Sequence, residues 1–210
     1  MFRVTDPFVN TRARYNIAPT QDVLAIVHEE PMKSRVFAIL RWGLVPRWAK
    51  DASGAAKLIN ARGETVASKP SFRDAYRKRR CVIPADGFYE WTRNAARTPF
   101  AIARKDRRTM PFAGLWERWT DPASGETIKT CTIITTTANE LCAPIHDRMP
   151  VILDANDVAR WLGEEPANED QLAALLRPYP ADAMIAFAVD KRVGNVRNDD
   201  PTLIEPAATG

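Results

Sequence analysis

The chain has 210 residues, of which 45% are hydrophobic and 27% are charged, and its formal net charge is +4. That length suits one sizeable core, and no Gly/Ser-rich or Pro-rich linker divides it, so we expect a single domain over residues 1–210. No apolar run is long enough to cross a bilayer and no basic and apolar export signal follows Met1, which favours a cytoplasmic protein without a membrane partner.

Eight segments carry the β-branched or aromatic residues typical of strands, and turn-forming residues bound them. In chain order these segments are 23–27, 35–41, 81–83, 88–91, 100–104, 112–116, 130–137 and 184–189. Helical patterns cover 71–79, with Ser71 as the cap, 154–162, which ends at Gly163, and 168–176. Short strands with three helices between them predict an α+β fold, in which peripheral helices surround a mainly antiparallel, barrel-like sheet.

The basic character of the chain permits a polyanionic partner without requiring one, since its isoelectric point is near 9.1. Arginines are numerous, and several of the six tryptophans stand near them in the sequence. Guanidinium groups suit phosphates and indole rings suit stacked bases, a combination typical of single-stranded nucleic acid binding. The alternative is that most tryptophans belong to the core and that the basic run 77–80 is a solvated helix end.

The cysteines are too few and too scattered for a disulfide framework. They are Cys81, Cys131 and Cys142, an odd number without a CxxC pair, which fits a reducing compartment. We expect no metal site, because the cysteines lack ligand spacing and His28 lies far from His146 in the sequence. A thiol–imidazole pair of Cys142 and His146 would need a helix, against which Pro144 argues, so we predict core thiols.

Four short polar segments stand beside strand-like runs, where core packing does not require them. They are residues 58–62, 85–91, 145–150 and 193–198. Their position predicts that a carboxylate, an imidazole, amides and guanidinium groups converge on one cleft, with Asn60, Glu90 and His146 in a common pocket.

His146 is one of only two histidines, and its unperturbed pKa allows proton transfer near neutrality. A lone histidine is more often structural than catalytic. Here the neighbours favour function, because Asp147 could orient the imidazole and Arg148 could hold a phosphate.

Glu90 lies between Tyr89 and Trp91, where an ionised carboxylate is costly unless it is paired. A carboxyl group in such a place tends to have a raised pKa, which suits it to proton transfer. The alternative is that strand alternation points Glu90 outward to solvent.

Asn60 and Arg62 are two residues apart in an extended segment, so they share a face and could address one ligand. Glu64 lies on that face too and could simply neutralise Arg62.

Several motifs follow one another in a fixed order along the chain. They are Arg14-Tyr15-Asn16-Ile17-Ala18-Pro19, Trp42-Gly43-Leu44-Val45-Pro46-Arg47-Trp48, Asn60-Ala61-Arg62-Gly63-Glu64-Thr65, Asp86-Gly87-Phe88-Tyr89-Glu90-Trp91, His146-Asp147-Arg148-Met149-Pro150 and Val193-Gly194-Asn195-Val196-Arg197-Asn198. In this order they resemble the SRAP family, the SOS-response-associated peptidases that capture abasic sites in single-stranded DNA. The resemblance runs from about Arg14 to Pro206, and the SRAP fold that it implies agrees with the α+β prediction.

The resemblance also implies roles for individual residues. Asn60, Glu90 and His146 would be catalytic, with Asn60 on the lesion, Glu90 assisting amine chemistry and His146 moving the proton that opens the sugar. The residues expected to contact single-stranded DNA with an abasic site are Pro19, Trp48, Arg62, Thr135 and Arg148. The resemblance implies no cofactor and no metal, and we expect a monomer that is nucleoid-associated when bound to DNA.

The nucleophile of the family is an N-terminal cysteine. Members begin Met-Cys-Gly-Arg, and removal of Met, the peptidase step, exposes an α-amine and a thiol that close a thiazolidine on the lesion aldehyde. This chain begins Met1-Phe2-Arg3-Val4, so no residue matches the nucleophile. We hypothesise that a short upstream stretch, roughly one strand and one helix, is missing before Met1.

Three functions follow from these observations. The first is a DNA-lesion enzyme of the SRAP type that forms the covalent link. The second is a non-covalent binding module for single-stranded DNA that has lost the chemistry, and the third is a thiol peptidase that uses Cys142 and His146. Retention of Asn60, Glu90 and His146 together favours the first.

Overall fold

Ten strands in two sheets organise the computed structural model, which describes residues 2–5, 12–29 and 34–207. The strands are β1 (Asp22–Glu29), β2 (Ser34–Trp42), β3 (Asn60–Arg62), β4 (Arg80–Ala85), β5 (Gly87–Trp91), β6 (Pro99–Arg104), β7 (Met110–Thr120), β8 (Thr127–Thr137), β9 (Arg148–Pro150) and β10 (Met184–Ala188). All eight predicted strands are present, and β3 and β9 are short additional strands at two of the polar segments.

Five strands close into a barrel in the order β2-β1-β4-β7-β8, because β2 returns to pair with β8. The neighbours are antiparallel except for that closing pair, in which Arg41 lies opposite Thr130 and Trp42 opposite Cys131. β8 continues beyond β2, and its second half pairs with β3 in parallel and with β9 antiparallel. The predicted barrel-like, mainly antiparallel sheet is therefore confirmed.

The barrel interior is tight enough to require a glycine. A Cβ on Gly114 of β7 would lie 2.9 Å from the Sγ of Cys81 and 3.1 Å from the carbonyl oxygen of Thr132. Such contacts are closer than van der Waals packing tolerates. Cys81 and Cys131 are fully buried in this interior and Cys142 is 1% exposed, so the prediction of core thiols is confirmed.

A second sheet, antiparallel in the order β10-β6-β5, packs on the barrel through a shared apolar core. Ile102 of β6 and Met184 of β10 are buried there together with Phe112 of β7. A separate core, which contains Tyr76, Trp161 and Leu172 among others, lies under the helices. The first core brings β5, which carries Glu90, against the barrel.

The three α-helices are shorter than the sequence pattern predicts. They are α1 (Arg73–Lys78), α2 (Val158–Leu162) and α3 (Glu169–Ala173). Ser71 does not cap α1: Phe72 occupies the N-cap position without a side-chain bond, since turns from Lys69 already hold the amides of Phe72 and Arg73. Gly163 does end α2, with a positive φ of 86° that favours glycine.

The polar segment 193–198 makes its hydrogen bonds with the segment around Asn16. The buried Asn16 amide donates to the carbonyl oxygens of Val193, Asn195 and Asn198 at 3.0 to 3.2 Å. Asp199 accepts from the backbone amides of Tyr15 and Asn16. We call these contacts the Asn16 clamp. They give this motif a structural role, because they satisfy the side-chain amide of Asn16, which burial would otherwise leave unpaired.

Candidate active site

Glu90 and His146 lie side by side in the lining of an open cleft of about 460 Å³. Glu90 lies in β5, and His146 ends the turn that leads from β8 toward β9. The Nδ1 atom of His146 lies 3.9 Å from the Oε1 atom of Glu90, and the two side chains are 30% and 28% exposed. The structure thus brings together two of the three predicted catalytic residues, and Glu90 does not simply point to solvent.

Hydrogen bonds in the preceding turn fix the position of His146. The carbonyl of Cys142 accepts from the amides of Ile145 and His146 at 2.8 and 2.9 Å. Asn139, which is buried, accepts from the Cys142 amide at 3.0 Å and donates to the Tyr179 carbonyl. No helix forms over residues 142–146, in line with the expectation from Pro144; the segment makes a hydrogen-bonded turn instead.

The imidazole of His146 has hydrogen-bond partners in both of its charge states. The backbone amide of Arg148 donates to Nδ1 at 3.0 Å, which in the neutral ring leaves the proton on Nε2. When Nδ1 is protonated, it can donate to the Arg148 carbonyl at 3.2 Å or to Asp147 Oδ1 at 3.4 Å. Glu90 Oε1 lies at ion-pair distance, 3.9 Å. Such an environment suits a group that gives and takes a proton.

Burial raises the pKa of the Glu90 carboxyl group above its ordinary value. The charge of His146, the Trp91 backbone amide and Arg93 oppose that rise without cancelling it, and the charge of Asp147 adds to it. Desolvation therefore outweighs attraction, so Glu90 keeps a proton to higher pH than a solvated glutamate.

Replacing Glu90 with glutamine should raise the melting temperature at pH 7, because the amide keeps the shape of the side chain without a charge to desolvate. A folded-state pKa above the unfolded value, about 4.3, means that Glu90 contributes most to stability below the unfolded pKa. This contribution is lost as the pH rises through the folded pKa. Thermal melts from pH 4 to pH 8 should show that the gain in melting temperature of Glu90→Gln over the parent vanishes near pH 4. An equal gain for Glu126→Gln, at an exposed site, would contradict burial as the cause.

Asn60 and Arg62 are both exposed at the two ends of β3, with buried Ala61 between them. Their register along β8 places Asn60 opposite Ile133 and Arg62 opposite Thr135. The shared face of Asn60 and Arg62 is therefore confirmed. Among the hydrogen bonds of the described residues, none joins Asn60 to Glu90 or His146, and its place in a common pocket stays a prediction.

Arg148 is held by protein groups on both sides. Its guanidinium donates to both carboxylate oxygens of Glu64, at 2.6 and 2.9 Å, and to the Thr135 carbonyl at 2.6 Å. Arg148 thereby holds the pKa of Glu64 below its usual range. Glu64 thus has a partner besides Arg62. Phosphate binding by Arg148 stays a prediction, and it would require exchange of Glu64 for a phosphate.

The remaining predicted DNA contacts differ in exposure. Trp48 is 65% exposed, whereas Trp161 and Trp119 are 0% and 5% exposed. Pro19 is exposed and Thr135 is buried at 7%. An indole so exposed contributes little to the core and leaves most of its surface accessible to a ligand.

The cysteine environments argue against a thiol nucleophile. Burial raises the pKa of Cys142 to about 11, and the charge of Glu90 adds to the rise. Burial also raises the pKa values of Cys81 and Cys131. The thiolate is the reactive form, so we expect a chromogenic thiol reagent to leave all three cysteines unmodified in the native protein at pH 7 and to label all three after unfolding. Rapid labelling of native Cys142 would restore the thiol peptidase hypothesis.

Sequence reasoning missed the arginines that line the cleft. Arg93 and Arg97 lie in the loop between β5 and β6, beside Glu90 and His146. Loops carry no periodic signal, and the only sign in the sequence was two arginines within the six residues that follow the strand of Glu90.

The described ranges contain no group of histidine, cysteine and acidic residues that could hold a metal ion. Within the same ranges, none of the helices has the length and hydropathy needed to span a bilayer.

Comparisons with known proteins place the chain among relatives of one kind. It is 47% identical over 193 residues to the "Abasic site processing protein YoqW" of Bacillus subtilis strain 168, covering 91% of this chain and 85% of that protein. It is 33% identical over 218 residues to the "Abasic site processing protein HMCES" of Xenopus tropicalis, covering 89% of this chain and 64% of that protein.

A solved structure and a family profile also match the chain. A crystal structure of a Bacteroides thetaiotaomicron protein is similar with a TM-score of 0.81 and 31% identity, covering 90% of this chain and 82% of that one. The profile described as "SOS response associated peptidase (SRAP)" matches residues 2–196. The chain therefore belongs to the SRAP family.

Proposed function

We propose that the protein processes abasic sites in single-stranded DNA and that Glu90 and His146 perform the proton transfers. The observation that carries the proposal is their pairing at 3.9 Å beside an open cleft. The chain is, in addition, 47% identical to a protein named for abasic site processing.

The chemistry begins with the sugar of the lesion. An abasic deoxyribose is mostly a closed hemiacetal, and opening it to the aldehyde moves a proton from the hydroxyl group to the ring oxygen. His146 would carry that proton, and its partners in both charge states support this role. Glu90, when it carries a proton, would donate it to the hydroxyl group that leaves as water when an amine condenses with the aldehyde.

The covalent step follows the family pattern. The step needs an amine and a thiol on adjacent carbons, as in an N-terminal cysteine. The amine condenses with the aldehyde to give an imine and water. The thiol then adds across the imine and closes a thiazolidine. The peptidase activity of the family, in this account, is removal of the Met in front of that cysteine.

The DNA contacts divide between charge and stacking. Arg62 presents an exposed guanidinium near Asn60, and it would bind a phosphate that flanks the lesion. Trp48 offers an exposed ring on which a base can stack. Arg148 would bind a second phosphate after exchanging Glu64, while Pro19 and Thr135 would contact the strand.

Arg62→Ala tests this interface by the salt dependence of binding. The variant should bind an abasic single-stranded oligonucleotide more weakly, and the slope of log affinity against log salt should fall by about 0.7 to 1, the effect of losing one phosphate contact. Arg73→Ala, which removes an exposed arginine from α1, is the control. Parent-like binding by Arg62→Ala across a salt titration would place the interface elsewhere.

A further inference from the structure

Arg93 stands at the rim of the cleft in a weak ion pair. It lies two residues beyond the end of β5, and its Nη2 donates to Oδ1 of Asp147, the neighbour of His146. The side chains of Arg93 and Asp147 are 60% and 59% exposed. Water competes with exposed pairs of this kind, which contribute little to stability. The bridge across the rim can therefore open.

Arg148 is held more firmly by its partners than Arg93 is. Its side chain is only 19% exposed, and it binds two oxygens of Glu64 as well as the Thr135 carbonyl. Exchange of Glu64 would break two hydrogen bonds of a largely buried guanidinium, whereas Arg93 bonds to one exposed carboxylate oxygen. Of the two arginines, Arg93 can take a new anionic partner with less loss.

The location of Arg93 defines which anion it would meet. Arg93, Glu90 and His146 line one cleft, so a sugar held in the cleft against Glu90 and His146 would place an adjacent backbone phosphate at the rim. A guanidinium group binds phosphate through two parallel hydrogen bonds, which a single carboxylate oxygen does not match.

We infer that Arg93 binds the phosphate that flanks the nucleotide in the cleft, and that Asp147 occupies the guanidinium of Arg93 until DNA displaces it. This inference rests on the proposed function, because it takes single-stranded DNA as the partner. Asp147 keeps a partner after the exchange, since its Oδ1 lies 3.4 Å from Nδ1 of His146.

A double-mutant cycle with an undamaged single-stranded oligonucleotide tests the exchange without any covalent chemistry. Arg93→Gln should weaken binding and lower the salt slope by about 0.7 to 1. Asp147→Asn should strengthen binding severalfold in the parent, because it removes the competitor, and it should have a much smaller effect in the Arg93→Gln background.

Arg97→Gln is the matched control, because Arg97 is exposed and lines the same cleft. Asp147→Asn should keep its full effect in that background. If Asp147→Asn strengthens binding equally with and without Arg93, it acts through general charge repulsion and the inference is wrong.

The cycle also separates this inference from the proposed function. A parent protein that binds no single-stranded oligonucleotide at low salt would overturn both. A parent that binds, with independent effects of Arg93→Gln and Asp147→Asn, would overturn only the role of Arg93. Thermal melts of each variant exclude unfolding as the cause of a loss.

Discussion

A polypeptide in which a segment beginning Met-Cys-Gly-Arg precedes Phe2 is expected to form a heat-stable link to single-stranded DNA that contains an abasic site. The reason is chemical: once Met is removed, that cysteine offers an amine and a thiol on adjacent carbons, as a thiazolidine requires. A denaturing gel with an abasic oligonucleotide measures the link as a shifted band. Serine in place of the added cysteine should abolish the heat-stable band.

The polypeptide of residues 1–210 serves as the reference in the same gel. It should give no heat-stable band, because Phe2 follows Met1 and the cysteines Cys81, Cys131 and Cys142 are all buried. A strong band from this polypeptide would show that another residue is the nucleophile. If the added segment gives no band although the oligonucleotide binds, the non-covalent binding module becomes the better hypothesis.

His146→Ala is expected to slow formation of that link by about 10²- to 10⁴-fold in the polypeptide with the added cysteine. The imidazole would carry the proton that opens the sugar, and no other histidine lines the cleft. Single-turnover rates at pH 7 measure the effect with enzyme in excess over the abasic oligonucleotide.

His28→Ala is the matched control for this rate, since His28 is the second of the two histidines and lies in β1. It should leave the rate near that of the parent. A rate for His146→Ala within about threefold of the parent would mean that solvent or Glu90 opens the sugar unaided, and the assignment of His146 would be wrong.

The strands were predictable because each combines β-branched or aromatic residues with turn-forming neighbours. The helices were less so. The pattern from Ser71 to Arg79 is helical in sequence, but turns at Lys69 supply its first bonds and α1 begins only at Arg73. Tertiary context decided these ends, as it does for short helices generally.

The pairing of Glu90 with His146 was predicted from polar segments beside strand-like runs and strengthened by the resemblance, because no local pattern links β5 to the turn after β8. The Arg148–Glu64 pair joins residues 84 positions apart, and composition does not reveal such a partner. Arg93 was not predicted for a related reason. The loop after β5 brings Arg93 to the cleft, and sequence spacing does not encode the position of that loop.

The Asn16 clamp has a consequence for proteolysis. The carbonyl of Tyr15 accepts a hydrogen bond from the hydroxyl group of Tyr89 at 2.8 Å, and Tyr89 is the neighbour of Glu90 in β5. A cut between β10 and residue 193 would detach the acceptors of Asn16 and release Tyr15. Trimming the carboxyl-terminal segment would thus loosen β5, the strand of Glu90, from outside the cleft.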